Sequence, residues 1–156
     1  IMPIFKPDEF LLNILPKKRL LGIDHGTKTL GIAISNSDMT VASPIKTIKR
    51  DKLKSDLSKL ISIFDEYDIT GLVMGWPLNM DGSVGPRCDS VRDFTNSVLK
   101  EKDLPVLLQD ERMSTMAIEK PMITVDMTRK QRSLRTDKLA ACWILQTALD
   151  VLKKKM

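Results

Sequence analysis

The sequence predicts a single α/β domain, a mixed sheet flanked by helices, and three observations carry that reading. Two apolar segments near the start are too close together to hold a helix between them. Past residue 50 the hydrophobic period lengthens, and helical and strand patterns then alternate to the C-terminus. The chain has 156 residues, 42% apolar and 29% charged, which suits one ordinary core and excludes wholesale disorder.

Residues 1–18, with prolines at 3, 7 and 16 and a short amphipathic piece over 8–15, read as an N-terminal extension. The domain proper is expected over 19–156. Leu20–Asp24 and Leu30–Ser35 read as buried strands joined in a hairpin that turns at Gly26. A third strand is expected over Ile45–Lys49, just after Pro44. Leu53, Leu57, Leu60, Ile61 and Phe64 fall on one face of a helix. Gly71–Gly75 is a compact apolar strand, and it runs into a Gly-, Pro- and Asn-containing loop over 75–87. Pro86 suits the first turn of a helix whose buried stripe is Val91, Phe94 and Val98. Pro105–Gln109 is the last strand, ending at Asp110-Glu111-Arg112. A short helix over Ser114–Glu119 should stop at Pro121, followed by a polar, basic stretch over 122–135. The final helix is expected over Asp137–Leu152, with Leu139, Ala140, Trp143, Ile144 and Leu152 on its apolar side.

Charge and composition narrow the function. Lys and Arg total 25 against 20 Asp and Glu, a net +5 that suits a polyanionic partner. Two cysteines and one histidine make neither a zinc pattern nor a disulfide framework, so a reduced, cytoplasmic setting is expected. No apolar run approaches the roughly 18 residues of a membrane span. Phe10–Leu15 is interrupted by Asn13 and followed, not preceded, by positive charge, unlike a secretory signal. No membrane partner is expected.

The carboxylates stand where chemistry is usually placed, at strand ends. Asp24 closes the first strand, Asp110 and Glu111 close the last, and Asp137 opens the final helix. Two such charges about 4 Å apart repel by roughly 4 kcal/mol at an effective dielectric of 20, so a proton or a divalent cation must join them. All-oxygen ligands favour Mg²⁺ or Mn²⁺. The plainer reading of each acid is a turn or cap residue, Asp137 above all. The turn Gly26-Thr27-Lys28 could cradle a phosphate, and it resembles the first phosphate loop of the actin and sugar-kinase superfamily. A plain hairpin turn fits equally. The loop over 75–87 either presents Arg87 and backbone donors to a phosphate or is a connection plugged by Trp76. Arg129, Lys130, Arg132 and Arg135 would neighbour the acids and read as nucleic-acid contacts. Lys153–Lys155, and the run Lys46, Lys49, Arg50, Lys52 and Lys54, fit solvated faces.

Four motifs occur in order: Leu21-Gly22-Ile23-Asp24-His25-Gly26-Thr27-Lys28, Gly75-Trp76-Pro77-Leu78-Asn79-Met80-Asp81-Gly82-Ser83, Asp110-Glu111-Arg112-Met113-Ser114-Thr115 and Asp137-Lys138-Leu139-Ala140-Ala141. With them the chain resembles the YqgF/RuvX family over residues 19–152. That family is described as Holliday-junction-resolvase-like and as pre-16S rRNA nucleases. The resemblance implies an RNase H-like fold with a five-stranded mixed sheet flanked by helices. It implies Asp24, Glu111 and Asp137 as catalytic metal ligands for Mg²⁺ or Mn²⁺, with Asp110 the alternative to Glu111. Lys28, Asn79, Arg87 and Arg112 match positions that support or bind substrate. His25 departs from the pattern, standing where an apolar or aromatic residue is commoner.

The expected function is therefore a metal-dependent nuclease in 5′-end processing of pre-16S rRNA, and so in ribosome biogenesis. The alternatives are a resolvase of four-way DNA junctions and a non-catalytic RNA-binding assembly factor. A phosphotransferase has no room for a second lobe in 156 residues. A resolvase would need a dimer for paired cuts. Nothing in the sequence demands one, so a monomer or weak homodimer is expected.

Overall fold

The two apolar runs within residues 19–35 fold as two antiparallel strands, buried on both faces. In the computed structural model, which describes residues 4–112 and 129–156 with side chains over 5–112 and 138–156, they are β2 (Arg19–His25) and β3 (Thr29–Ser35). Asp24 pairs with Gly31 and His25 with Leu30, and the Gly26 N–H donates to Thr29 O at 2.9 Å across the turn. β4 (Ala42–Lys49) continues the meander antiparallel to β3.

β4 starts three residues earlier than the expected Ile45 and contains Pro44. Proline cannot donate to a ladder, and it is tolerated here because β4 is an edge strand whose register shifts between Ile32 and Ala33.

Next come α2 (Leu53–Tyr67), β5 (Ile69–Trp76), α3 (Pro86–Glu101) and β6 (Val106–Asp110). β5 lies parallel to β2, and β6 parallel to β5, so the sheet is mixed. To these five strands a two-residue piece, β1 (Ile4–Phe5), adds beside β6, giving the order β1-β6-β5-β2-β3-β4. The segment read as an extension thus reaches the sheet edge. It continues as α1 (Pro7–Asn13), whose Phe10 is fully buried.

Alternation sorts the strands into two layers. Leu21 and Ile23 face α2 and α3 in one core with Leu60, Ile63, Phe64, Val91, Phe94 and Val98. Leu20, Val73 and Leu107 face the other side, where Phe10 and the last helix cover them with Ala141, Leu145, Ala148, Leu149 and Leu152. Each fully buried aliphatic side chain is worth roughly 1.5–3 kcal/mol. Gly22 lets the last helix approach closely, since a Cβ there would lie 2.8 Å from Leu145 Cβ.

That helix, α4, spans Arg129–Lys155. It starts well before the expected Asp137, because the basic run Arg129–Arg135 is helical rather than a loop. Asp137 therefore lies inside the helix and cannot be its N-cap. Trp143, expected on the apolar side, is 48% exposed, and Ala141, Leu145 and Ala148 carry the packing instead. The expected helix over Ser114–Glu119 falls outside the described residues, as do the side chains of Arg132, Arg135 and Asp137. Among the described residues no helix is long and apolar enough to cross a membrane.

Candidate active site

Strand parity decides which carboxylates meet. Leu20, Gly22 and Asp24 share the α4 face of β2, while Leu21, Ile23 and His25 share the opposite face. On β6, Leu107 faces α4, and the same parity carried past the strand end turns Glu111 to that face and Asp110 away. The Glu111 N–H is held by Trp76 O at 3.2 Å. Between the two strands sits Gly75. A Cβ at that position would fall on Glu111 Oε2 and lie 2.8 Å from Ile144 Cδ1. The Glu111 carboxyl thus occupies the space a side chain at position 75 would take.

The Asp24 and Glu111 carboxyls are close neighbours, and a proton or a cation between them relieves their repulsion. Burial pushes the Glu111 pKa well above the ordinary carboxylate range, and the neighbouring Asp24 carboxyl, by its charge and hydrogen bonding, raises it further. The Arg87 charge opposes that shift. Glu111 Oε2 is buried and has no hydrogen-bond partner among the described residues. A carboxylate oxygen left bare beside a second carboxyl is what an oxygen-seeking divalent cation would complete.

The sign of the resulting pH dependence follows. A folded-state pKa above the unfolded value stabilises the protein fully below the unfolded pKa, and that contribution is lost as pH rises through the folded value. Without divalent cations the protein should therefore lose stability from mildly acidic to alkaline pH. Glu111→Gln keeps a hydrogen-bonding group but cannot ionise. It should flatten that slope and stabilise the cation-free protein at pH 8 by about 1 kcal/mol, a gain common when active-site carboxylates are removed. Thermal unfolding of both proteins across pH checks it.

Asp110 has a different setting. Arg112 grips it with Nε at 2.8 Å and Nη2 at 2.6 Å, and these bonds hold its carboxyl below the ordinary range. Arg112 also donates from Nη1 to Met80 O at 3.4 Å, so the pair ties the end of β6 to the β5–α3 loop. Asn79 braces that loop from within, its Nδ2 donating to Ser83 Oγ at 2.9 Å. Lys28 is exposed on the hairpin turn. Arg87, in the first turn of α3, donates from Nη2 to His25 O at 2.6 Å. Among the described residues no three His, Cys, Asp or Glu side chains gather into a cluster that could hold a metal.

Behind Asp24 the β2–β3 turn is clamped by Arg50. Its Nε donates to Asp56 Oδ2 at 3.1 Å, and its Nη1 donates to Gly26 O at 2.8 Å and meets His25 Nε2 at 3.0 Å. Asp56 is wholly buried and also accepts the Asp51 N–H at 3.0 Å. Arginine can only donate, so His25 Nε2 accepts and the imidazole is neutral. Burial first, then the charges of Arg50 and Arg87, lower its pKa to about 4. Arg50→Ala strands the Asp56 carboxylate and should cost about 2 kcal/mol, and Arg50→Lys should recover little because an ammonium cannot fork across three acceptors. Urea unfolding of both variants tests it.

Residues 18–151 match the family described as RuvX: Holliday junction resolvase. The chain belongs to the RuvX family. It is 43% identical over 149 residues to a Paramagnetospirillum magneticum protein named "Putative pre-16S rRNA nuclease", covering 96% of both chains. A Rhodospirillum rubrum protein of the same name is 44% identical over 155 residues, 99% of this chain and 96% of its own. Among solved structures, Thermus thermophilus RuvC in complex with a Holliday junction substrate superposes with a TM-score of 0.57 over 88% of this chain and 97% of that one. At 13% identity that likeness shows a shared RNase H-like fold.

Three residues around the two carboxyls have contacts that the sequence did not disclose. Arg50 reads as part of a solvated charge run and Asp56 carries no signal of its own, since only the docking of α2 brings them together. Gly75 opens the second motif, but the motif does not say that its missing side chain makes room for Glu111. The period-2 relation of Gly75 to Val73, on the α4 face, was the available signal.

Proposed function

We propose that the chain is a divalent-metal-dependent nuclease that hydrolyses phosphodiester bonds during 5′-end processing of pre-16S rRNA. The observation that carries the chemistry is the Asp24–Glu111 pair, two neighbouring carboxyls with one buried oxygen unsatisfied. The RNA assignment rests on the name shared by relatives 43% and 44% identical over nearly the whole chain.

Asp24 and Glu111 would hold Mg²⁺ or Mn²⁺, with Asp137 as third ligand from α4. An aspartate inside a helix forgoes up to about 0.7 kcal/mol of helix propensity, which a ligand role accounts for and a cap role no longer does. A cation bound there supplies Lewis acidity, making water nucleophilic near neutral pH and stabilising charge on the phosphate oxygens. Arg87, near Glu111 and anchored to the His25 carbonyl, meets the negative charge of the phosphodiester. Lys28 reaches the strand from the hairpin turn. Arg132 and Arg135, on the N-terminal part of α4, grip flanking phosphates. Arg112 and Asn79 act through the loop they brace, and Asp110 acts only as the partner of Arg112. One active site suffices for a single-strand cut, so the protein works as a monomer or weak homodimer on cytoplasmic precursor RNA.

The test is cleavage of an end-labelled 5′-extended 16S precursor and of a four-way DNA junction, each with Mg²⁺, Mn²⁺ or chelator. Metal-dependent cuts in the RNA are expected. Paired symmetric cuts in the junction alone would move the function to resolvase. Tight RNA binding without any cleavage would make the protein an assembly factor.

A further inference from the structure

We propose that the cavity lined by His25 and Arg87 is a nucleotide subsite that takes the base and ribose of an unpaired nucleotide close to the scissile phosphate. The proposal rests on the nuclease reading and deepens it. The cavity, about 430 Å³, opens on the α2–α3 side of the β2 tip, and His25, Thr27, Arg87, Ser90, Asp93 and Ser97 are among its walls. Its size falls within the range of small-ligand sites, roughly 300–1,000 Å³.

Position ties it to the chemistry. His25 follows Asp24 directly in β2, and their side chains leave opposite faces of the sheet. Arg87 belongs to both places, lining the cavity while its charge acts on Glu111. A nucleotide seated here would leave its phosphate on Arg87, the residue the cavity shares with the carboxylate pair.

The walls select the ligand class. Arg87 donates, Asp93 and Asp51 accept, and the Thr27 and Ser90 hydroxyls do both. Asp51 and Asp93 balance Arg50 and Arg87, so the cavity has no excess positive charge to select a bare phosphate. The aspartates match the exocyclic amine of a base and the hydroxyls of a ribose, while the donors match base carbonyls. Phe94 also lines the cavity, with the His25 ring against it at 4.8 Å between centroids. Because Arg50 occupies Nε2, the imidazole proton sits on Nδ1, which is buried with no partner among the described residues. The ring serves the cavity as a wall with Phe94, and the polar contacts fall to Arg87, Asp93 and the hydroxyls.

The experiment randomises the nucleotides flanking the cut in a precursor RNA fragment and sequences the products of wild type, Asp93→Asn and Ser97→Trp. Asp93 is exposed, so its substitution should leave the fold intact. Wild type should show a base preference at one flanking position, and Asp93→Asn should change that preference about five- to tenfold. Ser97→Trp, which fills the cavity, should raise KM about tenfold with kcat little changed. Identical preference and KM in all three proteins would overturn the subsite while leaving the nuclease standing. If no protein cleaves, the nuclease reading fails, and the cavity is read by NMR of wild type and Ser97→Trp with nucleoside 5′-monophosphates and with inorganic phosphate. Amide shifts at Thr27, Ser90 and Asp93 with the nucleotides only, lost in Ser97→Trp, would support the subsite. Equal shifts with phosphate, or none, would overturn it.

Discussion

Gly75→Ala is expected to lower the cleavage rate by about a hundredfold without unfolding the protein. A methyl group at this position falls on Glu111 Oε2 and lies 2.8 Å from Ile144 Cδ1. The Glu111 side chain continues a strand end and can move; the helix behind Ile144 is packed along the sheet. The carboxyl is therefore the group that yields, and its separation from Asp24 grows. Misplacing a reacting or ligating group by about 1 Å costs on the order of 10²-fold in rate. Divalent-cation affinity should fall with it. Titration of cleavage rate against Mn²⁺, with circular dichroism as the control for folding, separates a displaced ligand from a damaged core. An unchanged rate would show that Glu111 need not sit over Gly75 to work.

Phe10→Ala is expected to destabilise the protein by about 3–5 kcal/mol, the usual cost of emptying a fully buried phenylalanine site. Phe10 is 0% exposed and packs with Leu20, Val73, Leu107 and the apolar stripe of α4. Around it the N-terminal segment is tied by the Leu15 N–H to Thr70 Oγ1 at 2.8 Å and by Lys155 to Asp8 at 3.7 Å. We propose that residues 4–18 are an integral part of the domain rather than an appendage. Because Phe10 covers the same sheet face as α4, its loss should also loosen the helix that carries Asp137. Urea unfolding measures the first effect, and amide exchange along α4 the second. A cost below about 1 kcal/mol would return the segment to the status of an extension.

The central strands and the two large helices after β4 were legible because their periods differ and their breakers are strong. Asp24 and Glu111 were legible as candidates for the same reason. What separates Glu111 from Asp110 is parity. Leu107, Gln109 and Glu111 alternate with Leu108 and Asp110, and burial by α4 selects the first set. That choice needs the register between β5 and β6, which the sequence does not state. Arg50 was opaque for a related reason, since its partner Asp56 lies six positions on and meets it only once α2 has docked. β1 is two residues long, too short for any period to reveal. The start of α4 was missed because a basic, apolar-poor first segment carries no amphipathic signal, although its residues are adequate helix formers.

The central claim is that Asp24 and Glu111 hold the cation that drives phosphodiester cleavage. It is tested most directly by Asp24→Asn on the 5′-extended 16S precursor, with RNA binding and cleavage measured side by side in Mg²⁺, Mn²⁺ and chelator. Asp24→Asn keeps a side chain of the same shape beside Glu111 and removes one ligand charge. The expected result is RNA affinity close to that of wild type, with metal-dependent cleavage lost. Cleavage that persists in Asp24→Asn at the wild-type rate and with the same metal requirement would contradict the account.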